Sequence, residues 1–294
     1  MDGLYAQNIE KQKRMGELAK EHRLVRISYA LDEAAYALSE QIALAGGKNL
    51  FPPSSAFDFL LTDFTFEERS FFICRLLKHL QKREKDLTAA DLLFPEERAS
   101  QGEHIVYVRN YYTERAYEIF ASSLAAPTVS YASDFTDACA EVGEGLADLC
   151  ILPFRDEAWG SFHSFSKMPE HYGLCVRAVC TVARAEGETM RLSLCGRGCL
   201  VPNGAKKVAV EMLFPSDDDG EDFESIRRLL RYLDGQTLFA EALPDRYTAK
   251  TSWHVTYVLA HADLAALLLG KRIFAPKSEL LGIYAAPTLT ENEA

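Results

Sequence analysis

The residue types in this chain that are best suited to chemistry lie in a short polar segment after an apolar run. Asp156 and Glu157 stand side by side, with Arg155 before them and Gly160 and Ser161 after them. Two neighbouring carboxyl groups can serve as general acid and base, and an arginine can hold a substrate carboxylate through two hydrogen bonds. A Gly-Ser pair that opens a helix leaves backbone N–H groups for an anion. The alternative is a solvated loop whose carboxylates face water or cap the next helix.

Alternating strands and helices are predicted to position this segment and a second one. The predicted strands are His104–Val108, Thr128–Tyr131 and Leu149–Leu152, and the predicted helices are Thr113–Leu124 and Phe135–Leu146. Such alternation predicts a parallel sheet with crossover helices, and such sheets bind small molecules at the carboxyl ends of their strands. Ligand contacts are therefore expected from Arg109, Asn110 and Thr113 after the first strand and from Asp156–Ser161 after the last.

The segment from Ile105 to Val182 resembles the first lobe of prephenate dehydratase. The strand-to-loop signature of that family runs roughly ADYGVVPIENSxxGS, and this chain has ADLCILPFRDEAWGS from Ala147 to Ser161. Asp148, Pro153, Gly160 and Ser161 are in register with it, and the family's Asn-Ser pair falls on Asp156 and Glu157. The match covers about a quarter of the chain. The resemblance implies an α/β lobe like that of periplasmic binding proteins.

Two departures from that family bear on activity. The family's first strand ends in a glycine-rich GPxGT-type loop that receives the substrate, whereas Arg109–Glu114 reads RNYYTE, without the glycine that lets a backbone approach a ligand closely. The family's Thr-Arg-Phe motif, whose threonine is its proposed acid, is absent from this chain. Only Gly173–Ala205 separates the lobe from the next unit, and a βαβ unit alone takes about 30 residues, so a full second lobe cannot fit.

The C-terminal part is predicted to form a βαββαβ unit. Its predicted strands are Lys207–Phe214, Leu238–Leu243, His254–Ala260 and Leu280–Ala285, and its helices are Asp222–Leu233 and Leu264–Leu269. This order is ferredoxin-like and resembles the ACT domain, which prephenate dehydratases carry at this position and which binds phenylalanine. Glu241–Pro244 echoes the family's ESRP segment, and Glu224–Ile226 stands near its Gly-Ala-Leu. An acidic side chain there would repel the carboxylate of the usual ligand.

The N-terminal part is predicted to be a helical bundle. Apolar residues recur at helical spacing over Ile9–Ala45, Thr65 and Glu68 form a capping box, and Thr88 is expected to cap a short helix. Polar breaks at Pro95–Glu103 and Gly196–Lys207 predict three parts. These are a helical segment over 1–95, the dehydratase-like α/β lobe over 104–200 and an ACT-like domain over 206–288.

Composition excludes several functions. The net charge of −11 argues against nucleic-acid binding, which needs clustered Lys and Arg. No stretch approaches the ~20 apolar residues of a membrane span, and the N-terminus lacks the features of a signal peptide, so a cytoplasmic protein is expected. Without a dinucleotide fingerprint or P-loop, no cofactor is expected.

No metal site is expected either. The seven cysteines include no C-x-x-C and are predicted to be reduced packing residues. The weaker alternative is a metal site of Cys195 and Cys199 with His163 or His171. The acidic run Asp217–Asp222 has its glycine misplaced for an EF-hand, which favours a solvated loop that caps the next helix.

Two classes of function remain open. The first is a non-catalytic binding or regulatory protein, in which a trimmed dehydratase-like lobe and an ACT-like domain sense an amino acid or small carboxylate, and which is expected to be a homodimer. The second is an enzyme of aromatic amino-acid biosynthesis, since the domain order is also that of the bifunctional chorismate mutase–prephenate dehydratase. The missing Thr-Arg-Phe motif, and the missing arginine and lysine pattern of chorismate mutase helices, favour the first class.

Overall fold

The chain forms two compact units. The computed structural model describes residues 14–15, 25–42, 64–83, 87–93, 97, 99, 102–154, 168–184, 187–215, 220–244 and 251–286. One unit comprises Met1–Leu87 with Arg272–Phe274, and the other comprises Thr88–Lys271 with Ala275–Ala294. The second unit contains both the predicted lobe and the predicted C-terminal domain, and the division between those two stays a prediction.

The described secondary structure of the first unit is helical, as the apolar spacing predicts. Its helices cover residues 25–42 (α1) and Phe66–Arg83 (α2). The predicted capping box is present, because the Thr65 N–H donates to a Glu68 carboxylate oxygen at 2.8 Å and the Glu68 N–H donates to the Thr65 hydroxyl at 3.3 Å. His79 on α2 lies 3.0 Å from Asp32 on α1, which ties the two helices together.

The second unit contains every strand and helix predicted over 104–152 and 207–285. The strands are β1 His104–Val108, β2 Thr128–Ala132, β3 Leu149–Pro153, β4 Leu174–Ala183, β5 Thr189–Arg197, β6 Lys207–Phe214, β7 Gln236–Pro244, β8 Thr251–Ala260 and β9 Glu279–Ala285. The helices are α3 Tyr111–Ala121, α4 Phe135–Glu144, α5 Glu221–Tyr232 and α6 Leu264–Phe274. Thr88 stands before a short 3₁₀ helix, Ala89–Leu92, as predicted. The predicted α/β and α+β class is confirmed, and no described helix combines the length and apolar character needed to cross a bilayer.

The first three strands of the sheet, β2, β1 and β3, are parallel, as expected. β1 pairs in parallel with β2 on one side and with β3 on the other. Successive residues point to opposite faces of a strand, so Ile105 and Tyr107 pack with the α3 residue Phe120, whereas Val106 packs with the α4 residue Val142. Helices therefore cover both faces, as crossover connections require.

Residues 173–205 extend this sheet and form no second lobe in their described part. β4 and β5 make an antiparallel hairpin, and β5 inserts between β3 and β4. β4 lies within the segment HYGLCVRAVCTV, whose apolar residues are typical of a strand, and nothing in the sequence indicates that β5 returns into the same sheet. The hairpin uses the length that a second lobe would need.

The C-terminal strands lie in the order β9-β6-β8-β7, with neighbours antiparallel. Counted along the chain within this part, these are the fourth, first, third and second strands. Together with the βαββαβ element order, this is the predicted ferredoxin-like arrangement. β9 also pairs in parallel with β4, where Val176 lies opposite Gly282. The two halves therefore form one nine-stranded sheet, β2-β1-β3-β5-β4-β9-β6-β8-β7.

Gly282 allows the two halves to meet. A Cβ at this position would lie 2.8 Å from the Val176 carbonyl oxygen and 2.9 Å from the Val176 Cβ. Backbone and branched Cβ atoms cannot rotate away, so any side chain at residue 282 must push β9 from β4.

We expect Gly282→Ala to lower the free energy of unfolding by about 1–3 kcal/mol, the usual effect of overpacking. Gly143→Ala is the matched control, because its Cβ would meet Tyr172 atoms at 3.5 Å, an ordinary contact, inside α4. Because Gly143 lies in a helix, its replacement by alanine is expected to leave the free energy of unfolding unchanged or to raise it by about 0.5–1 kcal/mol. Urea unfolding of both variants measures the difference. Equal stability of the two variants would mean that β4 and β9 are not held this closely.

Candidate functional site

The two predicted binding segments begin at the same edge of the sheet. β1 and β3 are parallel neighbours, so residues 109–113 and Phe154 both follow carboxyl ends at that edge. The predicted ligand residues Arg155, Asp156, Glu157, Gly160 and Ser161 lie outside the described residues. Their ligand role, and that of the first segment, stays a prediction.

Asn110 and Thr113 cap helix α3. The Asn110 side-chain oxygen accepts hydrogen bonds from the N–H groups of Tyr112 at 3.0 Å and Thr113 at 3.1 Å. The buried Thr113 hydroxyl accepts from the Asn110 N–H at 3.1 Å and donates to the Val108 carbonyl at 2.5 Å. These contacts occupy N–H groups that an anion would otherwise use.

Arg109 points along the surface of the same edge. Its side chain is 69% exposed, pairs with Glu114 at 2.8 Å and lies 5.3 Å from the centre of the Tyr131 ring. The hydrogen bond that Arg109 donates to Glu114 and the charge of that carboxylate raise the pKa of Arg109, so the guanidinium stays charged. An exposed arginine of this kind can still meet a ligand carboxylate once it leaves Glu114.

A second constellation of polar residues lies deeper in the sheet and was missed by the sequence reasoning. Glu211 on β6, His254 on β8 and Tyr284 on β9 are each less than 5% exposed. The Tyr284 hydroxyl donates to one Glu211 oxygen at 2.7 Å, and the His254 Nε2 lies 3.5 Å from the other. The signal in the sequence is the one acidic residue in the apolar strand KVAVEMLF, at an interior position of β6.

Phe154 links the predicted edge to this buried cluster. Its ring meets the Tyr284 ring edge to face, with centres 5.8 Å apart. Phe154 is the first residue after β3, so the chain that leads into the Asp156 segment starts in contact with the tyrosine that holds Glu211. The missed cluster therefore contacts the residue at which the described part of this edge ends.

A small cleft opens beside Glu211 and His254. Its volume is about 20 Å³, which suits one water molecule or a small head group. Most of the described residues that line it are apolar. The described lining consists of Pro153, Phe154, Pro169, Glu170, Leu174, Val176, Ser193, Glu211, His254 and Leu281. An apolar cleft with a few convergent polar groups is the usual form of a small-molecule site.

The cysteines are positioned as packing residues. In the described residues all seven cysteine thiols are free, and five of them are buried. Burial raises the pKa of Cys180 to about 11, so this thiol is a poor nucleophile at neutral pH. Cys195 donates to the Ser193 hydroxyl and Cys199 to the Leu280 carbonyl. No cluster that could hold a metal ion occurs among the described residues, and His163 lies outside them.

We expect Asn110→Ala to lower the free energy of unfolding by about 1 kcal/mol, because two N–H groups of α3 lose their acceptor. Arg115→Ala, on the same helix, removes an exposed ion pair with Glu118 and should change stability by less than about 0.5 kcal/mol. Chemical unfolding monitored by circular dichroism measures both. A loss of stability in Arg115→Ala as large as in Asn110→Ala would contradict the capping role.

Neither a protein-family model nor a curated protein sequence matches this chain. Among solved structures, GqqA, described as a novel type of quorum quenching acylases, is 18% identical over 64% of this chain and 97% of its own, with a TM-score of 0.47. Prephenate dehydratase from Streptococcus mutans is 13% identical over 63% of this chain and 98% of its own, with a TM-score of 0.48. Prephenate dehydratase from Arthrobacter aurescens in complex with L-Phe is 12% identical over 62% of this chain and 90% of its own, with a TM-score of 0.47. Likenesses at these values carry no argument about function.

Proposed function

We propose that this chain is a non-catalytic, prephenate-dehydratase-like protein that binds an amino acid or a small carboxylate. The observation that carries the proposal is the cleft in which apolar walls from β3, β4 and β9 meet the buried Glu211 and His254. A small number of polar groups in an otherwise apolar cleft orients a bound small molecule and makes its binding specific. The cytoplasmic location expected from the sequence is part of the proposal.

Three features support the absence of prephenate turnover. The Thr-Arg-Phe motif of the dehydratases is missing from the sequence. The loop after β1 has no glycine and is used by Asn110 and Thr113 to cap α3. Residues 173–205 contribute a hairpin to the existing sheet, so their described part offers no second lobe to close over a substrate. Prephenate turnover would need a closed cleft that excludes water, and these residues give little support for such a cleft.

The alternative is an enzyme of aromatic amino-acid biosynthesis, either prephenate dehydratase alone or joined to chorismate mutase activity. One specific observation favours an enzyme. Glu211 and His254 are a carboxylate and an imidazole within 3.5 Å of each other at a cleft, and such pairs can serve as general acid and base. The same pair can equally anchor a ligand that does not react.

We also propose that the chain forms a homodimer through its ferredoxin-like unit. One edge of that unit, β9, is paired with β4, whereas β7 ends the sheet. An edge strand presents unpaired N–H and C=O groups that a second copy can pair with, and two-fold pairing of identical edges closes the assembly. Leu238 in β7 is 45% exposed, which gives this edge an apolar contact point.

The purified protein is expected to bind at least one of phenylalanine, tyrosine, tryptophan, prephenate and chorismate, and not to convert prephenate to phenylpyruvate. Binding to the folded state raises the melting temperature in proportion to RT ln(1 + [L]/Kd). A thermal-shift screen and the absorbance of phenylpyruvate measure the two outcomes. Turnover that is lost in Asp156→Ala would establish the enzyme instead, and a screen without any shift would remove the binding proposal.

In light scattering at micromolar concentration the wild type is expected to be a dimer, Leu238→Glu a monomer, and Val129→Glu a dimer. A charge on an edge strand opposes pairing with another copy. Val129 is the matched control because it is 38% exposed on β2, the opposite edge of the sheet. A monomeric wild type would disprove the dimer, and a monomer only in Val129→Glu would move the interface to β2.

A further inference from the structure

We infer that Cys175 and Cys199 are a dithiol that a small peroxide oxidises to a disulfide in the folded protein. Cys175 lies on β4, and Cys199 follows β5. Neither is among the described residues that line the ligand cleft, so this modification site does not depend on the proposed function. A disulfide of this kind is reduced again by thiols.

The two sulfur atoms converge on one carbonyl group. The Cys175 thiol donates to the Leu280 carbonyl oxygen at 3.3 Å, and the Cys199 thiol donates to the same oxygen at 3.7 Å. The two thiols are also hydrogen-bonded to each other. A disulfide brings its sulfurs to about 2.05 Å from one another, and sulfurs that are already in contact have a short distance to travel.

Cys199 reaches β4 because the chain folds back directly after β5. Gly198 has a φ of 72°, a left-handed conformation that glycine adopts without strain. The Arg177 guanidinium holds this turn by donating to the carbonyls of Arg197 and Gly198. The Cys199 N–H donates to the Glu97 carbonyl at 2.6 Å. These contacts hold Cys199 against β4, on which the other cysteine of the pair lies.

Exposure distinguishes this pair from the other buried cysteines. Cys139 and Cys150 are also hydrogen-bonded to each other, but both are 0% exposed, as is Cys195. Cys175 is 8% exposed and Cys199 is 2% exposed. A peroxide must reach one sulfur before a disulfide can form, and Cys175 is the buried thiol that is most open to it.

A positive charge beside the pair favours oxidation over capture of a metal cation. Burial raises the pKa of the Cys199 thiol, its hydrogen bond to Cys175 raises it further, and the charge of Arg177 opposes both effects. The same guanidinium would repel a metal cation held by the two sulfurs, whereas it stabilises a thiolate. Because the pKa of Cys199 is raised overall, oxidation is expected to be slower than at an exposed, ionised thiol.

The reaction takes two steps. The Cys175 sulfur attacks one oxygen of hydrogen peroxide, the O–O bond breaks, and the thiol proton leaves with the other oxygen as water. The product is a sulfenic acid at Cys175. The Cys199 sulfur then attacks the Cys175 sulfur, the S–O bond breaks, and the second thiol proton leaves with the hydroxide as water. The two cysteines together lose two electrons, which the peroxide accepts.

The disulfide joins β4 to the residue chain that follows β5, at the open end of their hairpin. A covalent link of this kind restricts the unfolded chain and thereby stabilises the folded protein. The Leu280 carbonyl loses two S–H donors, which opposes this effect little because a thiol is a weak donor. We therefore expect the oxidised protein to unfold at a higher urea concentration than the reduced protein.

Peptide mapping of the wild type tests this inference. The folded protein is treated with hydrogen peroxide, its remaining thiols are alkylated in denaturant, and trypsin is added without reductant. Cleavage after Arg177, Arg184, Arg191 and Arg197 places Cys175, Cys180, Cys195 and Cys199 on four separate peptides. The expected main product is the Cys175 peptide joined to the Cys199 peptide, which dithiothreitol separates.

Serine variants connect the joined peptides to the change in stability. Cys175→Ser and Cys199→Ser should each abolish the joined product and the rise in the urea midpoint. Cys180→Ser is the matched control, because Cys180 is a half-buried cysteine on the same strand, and it should leave both unchanged. A main product that joins other cysteines, or one that forms only after unfolding in urea, would overturn the inference. The wild-type map decides this even if a serine variant does not fold.

Discussion

The contact between Gly282 and Val176 is the constraint on which the rest of this structure depends. At this point two β-strands from different parts of the chain approach so closely that a single Cβ would meet a carbonyl oxygen at 2.8 Å. Because glycine lacks that atom, β9 can pair with β4, and the strands β2-β1-β3-β5-β4 continue into the ferredoxin-like half of the sheet. One residue thus accounts for the continuity of the sheet.

The polar residues at the carboxyl edge of the parallel strands and those on the C-terminal strands make different kinds of contact. At the carboxyl edge of a parallel sheet, helix N-termini commonly supply N–H groups to ligands, yet at α3 Asn110 accepts from two such groups. A buried polar cluster also lies on β6, β8 and β9, where Tyr284 and His254 contact Glu211. The contact of Phe154 with Tyr284 joins the two regions. Buried polar groups of the described residues therefore lie on a face of the sheet as well as at its carboxyl edge.

The sequence predicts local features of this fold well and its long-range pairings poorly. The apolar runs HIVYV and KVAVEMLF coincide with β1 and β6, and the Thr65–Glu68 capping box forms as expected, because strand alternation and capping depend on residues a few positions apart. The insertion of β5 beside β3 and the pairing of β4 with β9 join distant segments, for which periodicity carries no information. The Glu211–His254 pair was missed for the same reason: alternation indicates that both residues point inward and does not indicate that they meet.

A buried carboxylate in a central strand needs a reason beyond stability. Removing an ionised group from water is unfavourable by several kcal/mol, and the polar contacts of a buried carboxylate return only part of this. Well-packed apolar residues in place of such groups are often neutral or stabilising, so Glu211 is not explained by the free energy of folding. Natural sequences depart from locally consistent choices chiefly at functional sites. Glu211 combines such a departure with an adjoining cleft, and a ligand that binds there would supply the interaction energy that the fold itself lacks.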